Sequence, residues 1–159
     1  MTLVSGRRLV AALAVSVGVV GSAGVAYAAT AGSAARSAGP EYVYGAGNPF
    51  EDASAVVQVV GRGDGSSLVT LHVSGADAVA WRTFGAHVHQ SPCGPTGTDA
   101  GPHYQHAGAT GSVEEREVWL DFTVNPDGNG HAETVRPWAV DETAPRSVII
   151  HADPTTVTP

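Results

Sequence analysis

The sequence predicts an all-β fold, an antiparallel sandwich or barrel. Short runs rich in β-branched residues recur along the chain, turn-forming residues separate them, and no segment repeats its apolar residues with a helical period. The 159 residues include 20 Gly and 10 Pro, and only 14% are charged, which suits a turn-rich β protein better than a helical bundle. The length leaves room for one modest domain.

The first 28 residues have the pattern of a secretory signal peptide. An uncharged apolar run over 9–25 follows two arginines and ends at the small residues Ala26 and Ala28, which mark a cleavage site. We therefore expect 1–28 to be removed on export. This predicts a secreted or extracytoplasmic protein with no membrane anchor after signal cleavage.

The segment 29–50 is expected to be a flexible linker. It is rich in Ala, Gly and Ser and carries Gly39-Pro40, so it offers few apolar side chains to bury. The folded domain is then expected to span 51–159.

The first predicted hairpin joins strands over 55–60 and 68–73. Both runs consist largely of Val, Leu and Thr, and the turn between them contains Asp64-Gly65, whose Gly supplies the positive φ that such turns need.

A second hairpin is predicted further along the chain. Apolar and polar residues alternate over 116–124, as in a half-buried strand, and a turn over 125–130 would return the chain as an antiparallel strand over 131–138. A last strand is expected over 147–151.

Charge and cysteine content restrict the partners. Eight Arg and no Lys stand against fifteen Asp and Glu, for a net charge of -7, which disfavours nucleic acid as a partner. Cys93 is the single cysteine, so it is expected to stay a free thiol or to pair between chains.

Four histidines carry the chemistry. His87 and His89 are two residues apart on a predicted strand, so both rings leave the same face and can meet one ion. His103 follows a Pro- and Gly-rich loop, and His151 ends the last predicted strand. Four neutral imidazoles suit a borderline metal such as copper or zinc. Whether His106 belongs to a partial metal site stays open at this point.

The ordered set of these motifs resembles the copper-zinc superoxide dismutase family over about 51–153. The set comprises Gly85-Ala86-His87-Val88-His89, Ala100-Gly101-Pro102-His103, Asp127-Gly128-Asn129-Gly130 and Val148-Ile149-Ile150-His151. The resemblance implies an eight-stranded Greek-key barrel and superoxide as substrate. It also implies copper ligation by His87, His89, His103 and His151, with His103 as the catalytic residue at the position that bridges copper and zinc.

The zinc ligands of the family are not matched. Where the family has a His-x-x-Asp stretch, this chain has Glu117 at the late His and Leu120 at the Asp. By this comparison no zinc site is expected, and the chain resembles the copper-only members. Glu117, with Asp121 second, is expected to accept a hydrogen bond from the His103 nitrogen that does not face copper. The alternative for Glu117 is an exposed glutamate on a strand.

The C-terminus also departs from the family, which has a channel Arg and a closing strand after the copper His. No Arg follows His151, so the expectation is a truncated barrel that lacks the last strand. Its open edge, or Cys93, would then offer a route to a homodimer.

Two functions remain after these comparisons. The first is an exported copper-dependent superoxide dismutase, an oxidoreductase that converts superoxide to hydrogen peroxide and oxygen. The alternative is an extracytoplasmic copper-binding domain with little or no dismutase activity.

Overall fold

The computed structural model of the chain describes residues 42–140 and 147–156, and the backbone of 34–38. The predicted signal peptide, 1–28, lies outside the described residues. Eight strands are present in the described part: β1 Ala34–Ala38, β2 Ser54–Gly61, β3 Ser67–Ser74, β4 Thr83–Phe84, β5 Ala86–His89, β6 Phe122–Thr123, β7 Gly130–Arg136 and β8 Ser147–Ile150. One short α-helix, α1 (Val113–Arg116), and two 3-10 turns, Asp77–Val79 and Gly97–Ala100, accompany them.

One layer is a four-stranded antiparallel sheet in the order β1-β2-β3-β7. The predicted first hairpin is confirmed, because β2 and β3 pair along their full length, with Val57 opposite Leu71. Side chains of β3 alternate between the interior and the outer face, so Val69, Leu71 and Val73 are buried whereas His72 is exposed. The outer face of this sheet therefore carries polar side chains.

The second layer is built from shorter strands. β4 pairs with β6, and β5 pairs with β8, each antiparallel. Backbone bonds from Val88 N to Val118 O (3.2 Å) and from Leu120 N to Ala86 O (2.7 Å) join β5 to the segment that leads into β6. The described strands are all antiparallel, so the prediction of an antiparallel all-β fold is confirmed.

The predicted second hairpin is wrong. β6 pairs with β4 and β7 pairs with β3, so the turn after β6 carries the chain from one layer to the other. Asn125 closes this turn, since its Oδ1 accepts from the backbone N of Asp127 and Asn129. The alternation over 118–124 nevertheless holds, with Val118, Leu120 and the later apolar residues buried, because these side chains face the opposite sheet.

Part of the predicted linker contributes to the fold. β1 pairs with β2 from Ala34↔Val60 to Ala38↔Val56, which satisfies backbone groups along the edge of β2. Further on, the Tyr44 hydroxyl donates to Gly94 O (3.0 Å), and Phe50 is buried. Tyr44 and Phe50 therefore contact the folded domain, although the scarcity of apolar side chains over 29–50 predicted a flexible linker.

The hydrophobic core lies between the two layers. Phe84 forms its centre, with ring centroids 4.8 Å from Phe50 and 5.8 Å from Phe122. Leu71 of the four-stranded sheet and Leu120 of the second layer are each 1% exposed. Within the described ranges, every helix is too short or too polar to cross a bilayer.

Candidate metal centre

The structure brings the four predicted imidazoles together. One ring nitrogen from each of His87, His89, His103 and His151 lies within 4.8 Å of the others. β5 supplies the first two, the loop after the second 3-10 turn supplies the third, and the fourth directly follows β8. Because β5 pairs with β8, and His89 forms a bridge with His103, backbone hydrogen bonds hold all three segments beside one another.

The rings pack closely on the second layer. The ring centroid of His87 lies 4.1 Å from that of His103 and 4.9 Å from that of His151. His89 Nε2 is 3.4 Å from His151 Nε2. Ala86 and Val88 alternate with the two histidines of β5 and belong to the hydrophobic core, so the strand places both imidazoles on the face away from it.

Backbone geometry sets the orientation of His89. Its Nδ1 lies 2.8 Å from Gly101 O, and because a carbonyl only accepts, Nδ1 carries the proton and donates. In the neutral ring, Nε2 then presents a lone pair toward the cluster. Gly101 ends the second 3-10 turn at a φ of 69°, a left-handed conformation that favours glycine.

Two hydrogen bonds that share the Thr155 hydroxyl set the orientation of His87. The Thr155 hydroxyl donates to Asp121 Oδ1 (2.7 Å), since a carboxylate only accepts, and His87 Nε2 lies 2.6 Å from the same hydroxyl. Thr155 has one proton to give, so His87 Nε2 donates to it. His87 Nδ1 is then a lone pair, and it is buried without a hydrogen-bond partner.

The buried, unpaired Nδ1 of His87 indicates whether the cluster can bind a metal. A buried acceptor that lacks a hydrogen bond costs folding free energy unless another group occupies its lone pair. A metal ion among the four imidazoles would do so, and borderline ions such as copper and zinc prefer imidazole nitrogen. The residues present therefore fit a bound transition metal, although they do not choose its identity.

Glu117 lies where the sequence prediction placed it, behind His103. His103 Nδ1 is 2.8 Å from Glu117 Oε2, which leaves Nε2 to face the cluster. The carboxylate also accepts from Trp119 Nε1 (2.7 Å) and Gln105 Nε2 (2.9 Å). At 3% exposure, Glu117 is not the solvated glutamate of the alternative interpretation.

Hydrogen bonding keeps this carboxylate ionised. Burial alone would raise the pKa of Glu117, but hydrogen bonds from Trp119, Gln105 and His103 together lower it below its ordinary value. A buried negative charge therefore stands behind the ring of His103 at neutral pH.

Asp121 does not serve His103, for which it was the second candidate. Its carboxylate lies 3.7 Å from His87 Nε2 and accepts from Thr155 and from Ala86 N (3.1 Å). Asp121 and Glu117 both precede β6 in sequence, yet they support two different imidazoles. The sequence predicted both on one face of a single strand, but Glu117 lies at the C-terminal end of α1, and the two carboxylates do not lie beside one ring.

The imidazoles of His87, His89 and His151 are neutral at pH 7. Burial, followed by the neighbouring His103 and His151, lowers the pKa of His87 to about 4. Burial is also the main cause that lowers the pKa of His89 and of His151. Metal ligation requires this unprotonated state.

The tail after β8 closes over the site. Gly85 N donates to Asp153 O (3.0 Å), and Thr155 N donates to Asp121 Oδ2 (3.0 Å). A Cβ on Gly85 would lie 2.8 Å from Thr155 Oγ1 and 3.0 Å from Asp153 O, so the tail can approach only because residue 85 is glycine. Sequence reasoning missed Thr155 and Gln105, because no predicted strand or motif spacing links them to the histidines, and it assigned Trp119 only a packing role.

The remaining histidines lie outside the cluster. His106 stacks on Trp138 with ring centroids 4.5 Å apart and does not join the four imidazoles. His72 and His131 lie on β3 and β7. Cys93 is a half-buried free thiol, and its predicted role in a homodimer stays a prediction.

Comparison with known proteins gives a fold likeness. No protein-family model and no curated protein matches the chain. A solved structure described as the crystal structure of the clock protein EA4 is similar, with a TM-score of 0.53 and 16% identity over 79% of each chain. At that identity the similarity concerns the fold alone, and it agrees with the all-β architecture.

Proposed function

We propose that the chain is an exported, copper-dependent superoxide dismutase that resembles the copper-only members of the copper-zinc superoxide dismutase family. The observation that carries the proposal is the set of four imidazoles within 4.8 Å of one another, one of which is backed by a buried carboxylate. The order of the motifs and the antiparallel strands around them support a Greek-key barrel of that family's type.

Copper is the proposed cofactor because imidazole nitrogen suits it and because the family resemblance implies copper at these four histidines. His87 offers Nδ1 and His89 offers Nε2, while the opposite nitrogen of each ring is bound to protein. Second-sphere hydrogen bonds of this kind fix the tautomer of a ligating imidazole. The Nδ1 side of His103, where the family has zinc, is taken by Glu117, so zinc has no part in the proposal.

In dismutation, two superoxide ions and two protons give one oxygen and one hydrogen peroxide. A bound copper ion supplies the one-electron chemistry, because it alternates between two oxidation states. The protein has to supply protons to the peroxide product. The family resemblance implies that His103 carries this proton, and its side chain is 33% exposed and so lies within reach of solvent.

Glu117 assists that proton transfer. When Nε2 of His103 takes a proton, the ring becomes a cation, and the carboxylate 2.8 Å from Nδ1 stabilises it. Trp119 and Gln105 hold the carboxylate in place. Two of the other imidazoles are less accessible to solvent. The side chain of His87 is only 5% exposed, and His89 is buried.

A copper-binding domain with little or no dismutase activity is the second candidate. Two carboxylates, Glu117 and Asp121, flank the histidines, and the whole chain carries a net charge of -7. Such a field repels the superoxide anion and lowers its rate of encounter. The histidine cluster itself is compatible with both candidates.

Pulse radiolysis of the full chain tests the first candidate. The protein is loaded with one equivalent of copper, passed over a chelating resin to remove loose metal, and mixed with superoxide. We expect catalysed decay that is lost in His103→Ala and His151→Ala and kept in His106→Ala, which removes an imidazole outside the cluster.

The outcomes separate the two candidates. Tight copper binding that needs the cluster but gives no catalysed decay would support the copper-binding domain. Catalysed decay that survives in both His103→Ala and His151→Ala would show that these histidines are not needed for it, and it would refute the assignment of dismutase activity to the cluster.

A further inference from the structure

A second pair of imidazoles lies on the outer face of the four-stranded sheet. His72 of β3 and His131 of β7 are directly opposite each other in the antiparallel register, with ring centroids 4.4 Å apart and ring planes inclined by 30°. Both side chains are exposed, because the neighbours Val73 and Ala132 take the buried positions of their strands.

The nitrogens of this pair are not committed to other groups. Neither ring makes a hydrogen bond to any residue that the structure describes. The hydroxyls that line the same groove are paired among themselves, Ser54 with Ser74 (2.9 Å) and Thr123 with Thr83 (2.8 Å). Solvent therefore has free access to both imidazoles.

The local charge favours a cation. Glu133 lies two residues from His131 on the same exposed face of β7, opposite Thr70. The chain as a whole carries a net charge of -7. A cation bound between the two rings would thus meet an attractive field.

We propose that His72 and His131 form a second metal site, which binds a divalent transition ion such as Cu²⁺ with both imidazoles and completes the coordination with water. Two imidazoles on one strand pair suit such ions. With two protein ligands and an open face, this site binds more weakly and exchanges metal faster than the buried cluster of four. The proposal does not depend on dismutase activity.

Copper titration of the full chain tests the site. Cu²⁺ is paramagnetic and broadens the NMR signals of nearby nuclei, so the order in which backbone amide signals disappear locates each binding event. We expect the first equivalent to broaden signals around the buried cluster. Further Cu²⁺ should then broaden those around residues 72 and 131, in a second, weaker class of binding.

Three variants decide the outcome. His72→Gln and His131→Gln should each abolish the second class of binding and leave the first, whereas His106→Gln should keep both. The exposed positions of His72 and His131 make their substitution compatible with the native fold, which the unchanged remaining amide signals would verify. Persistence of the second class in both His72→Gln and His131→Gln, or no broadening around this pair, would overturn the proposal.

Discussion

Nε2 of His87 and Oγ1 of Thr155 are joined by a hydrogen bond of 2.6 Å across 68 positions of sequence. The hydroxyl donates its own hydrogen bond to Asp121, so the contact with His87 sets which nitrogen of that ring carries a proton. The ring then presents Nδ1 to the cluster. A residue of the C-terminal tail thereby orients an imidazole of β5.

Replacing Thr155 should loosen the metal. Thr155→Val keeps the size of the side chain but removes the hydroxyl that accepts from His87. Loss of a hydrogen-bond partner of a metal ligand typically lowers metal affinity, so we expect metal to dissociate roughly 10-fold faster. Transfer of the metal to a coloured chelator measures this rate. Thr155→Ser should restore the slow rate, and Thr156→Val, at the exposed neighbouring position, should not alter it. Equal rates for all three variants would show that the hydroxyl has no effect.

Glu117 is expected to raise the affinity for copper and to fix which nitrogen of His103 carries the proton. The carboxylate of Glu117 accepts three hydrogen bonds, and Glu117→Gln replaces one of its two acceptor oxygens with an amide nitrogen that only donates. We expect copper affinity to fall by about 10- to 100-fold in a competition titration. Glu114→Gln, an exposed change in α1, is the matched control. A thermal melt of each metal-free variant separates lost affinity from lost folding, and unchanged affinity in a folded Glu117→Gln would contradict the assignment.

Gly85→Ala should detach the tail. The new Cβ would lie 2.8 to 3.0 Å from atoms of Thr155 and Asp153, and relieving such overpacking typically costs about 1–3 kcal/mol. We expect a lower free energy of unfolding together with faster metal release. Gly63→Ala meets no atom within 4 Å and should leave metal release unchanged. Wild-type metal release in Gly85→Ala would show that the tail is not needed there.

The metal-free protein should lose stability in mild acid. The pKa of His87 is about 4 in the folded chain against an ordinary value of 6.5, so between these values the unfolded chain binds a proton that the folded chain does not. The free energy of unfolding therefore falls as the pH drops from 6.5 to 4. His89 and His151, whose pKa values burial also lowers, act in the same direction.

Urea unfolding of the metal-free chain, followed by circular dichroism at several pH values, measures this effect. His87→Gln should flatten the pH dependence in that window, whereas His106→Gln should retain it. A midpoint that rises on acidification would contradict the prediction.

The sequence predicted the features that depend on residues close together along the chain. The β-branched runs and the Asp-Gly turn between them correspond to β2 and β3, and the spacing of His87 and His89 put both rings on one face. The site of Glu117 followed from its place in the resemblance to a known family. Its burial did not, because a period-two pattern assigns a face and cannot tell whether another segment covers that face.

Long-range contacts escaped the sequence patterns. The alternation over 116–124 cannot choose a partner strand, and here β3 rather than β6 pairs with β7. Likewise Thr155 is one of three threonines in an apparently featureless tail. Only the approach permitted by Gly85 brings it to His87, and that approach depends on the folded positions of both segments.

The cluster also has an order of assembly in time. Three of its imidazoles come from a stretch of 17 residues, His87 to His103, whereas His151 arrives with β8. A chain that emerges from its amino end presents His151 last, and non-local strand pairing is among the slower steps of folding. The complete set of four imidazoles therefore forms only when β8 pairs with β5, so binding of a metal by all four rings would report that this strand pairing has formed.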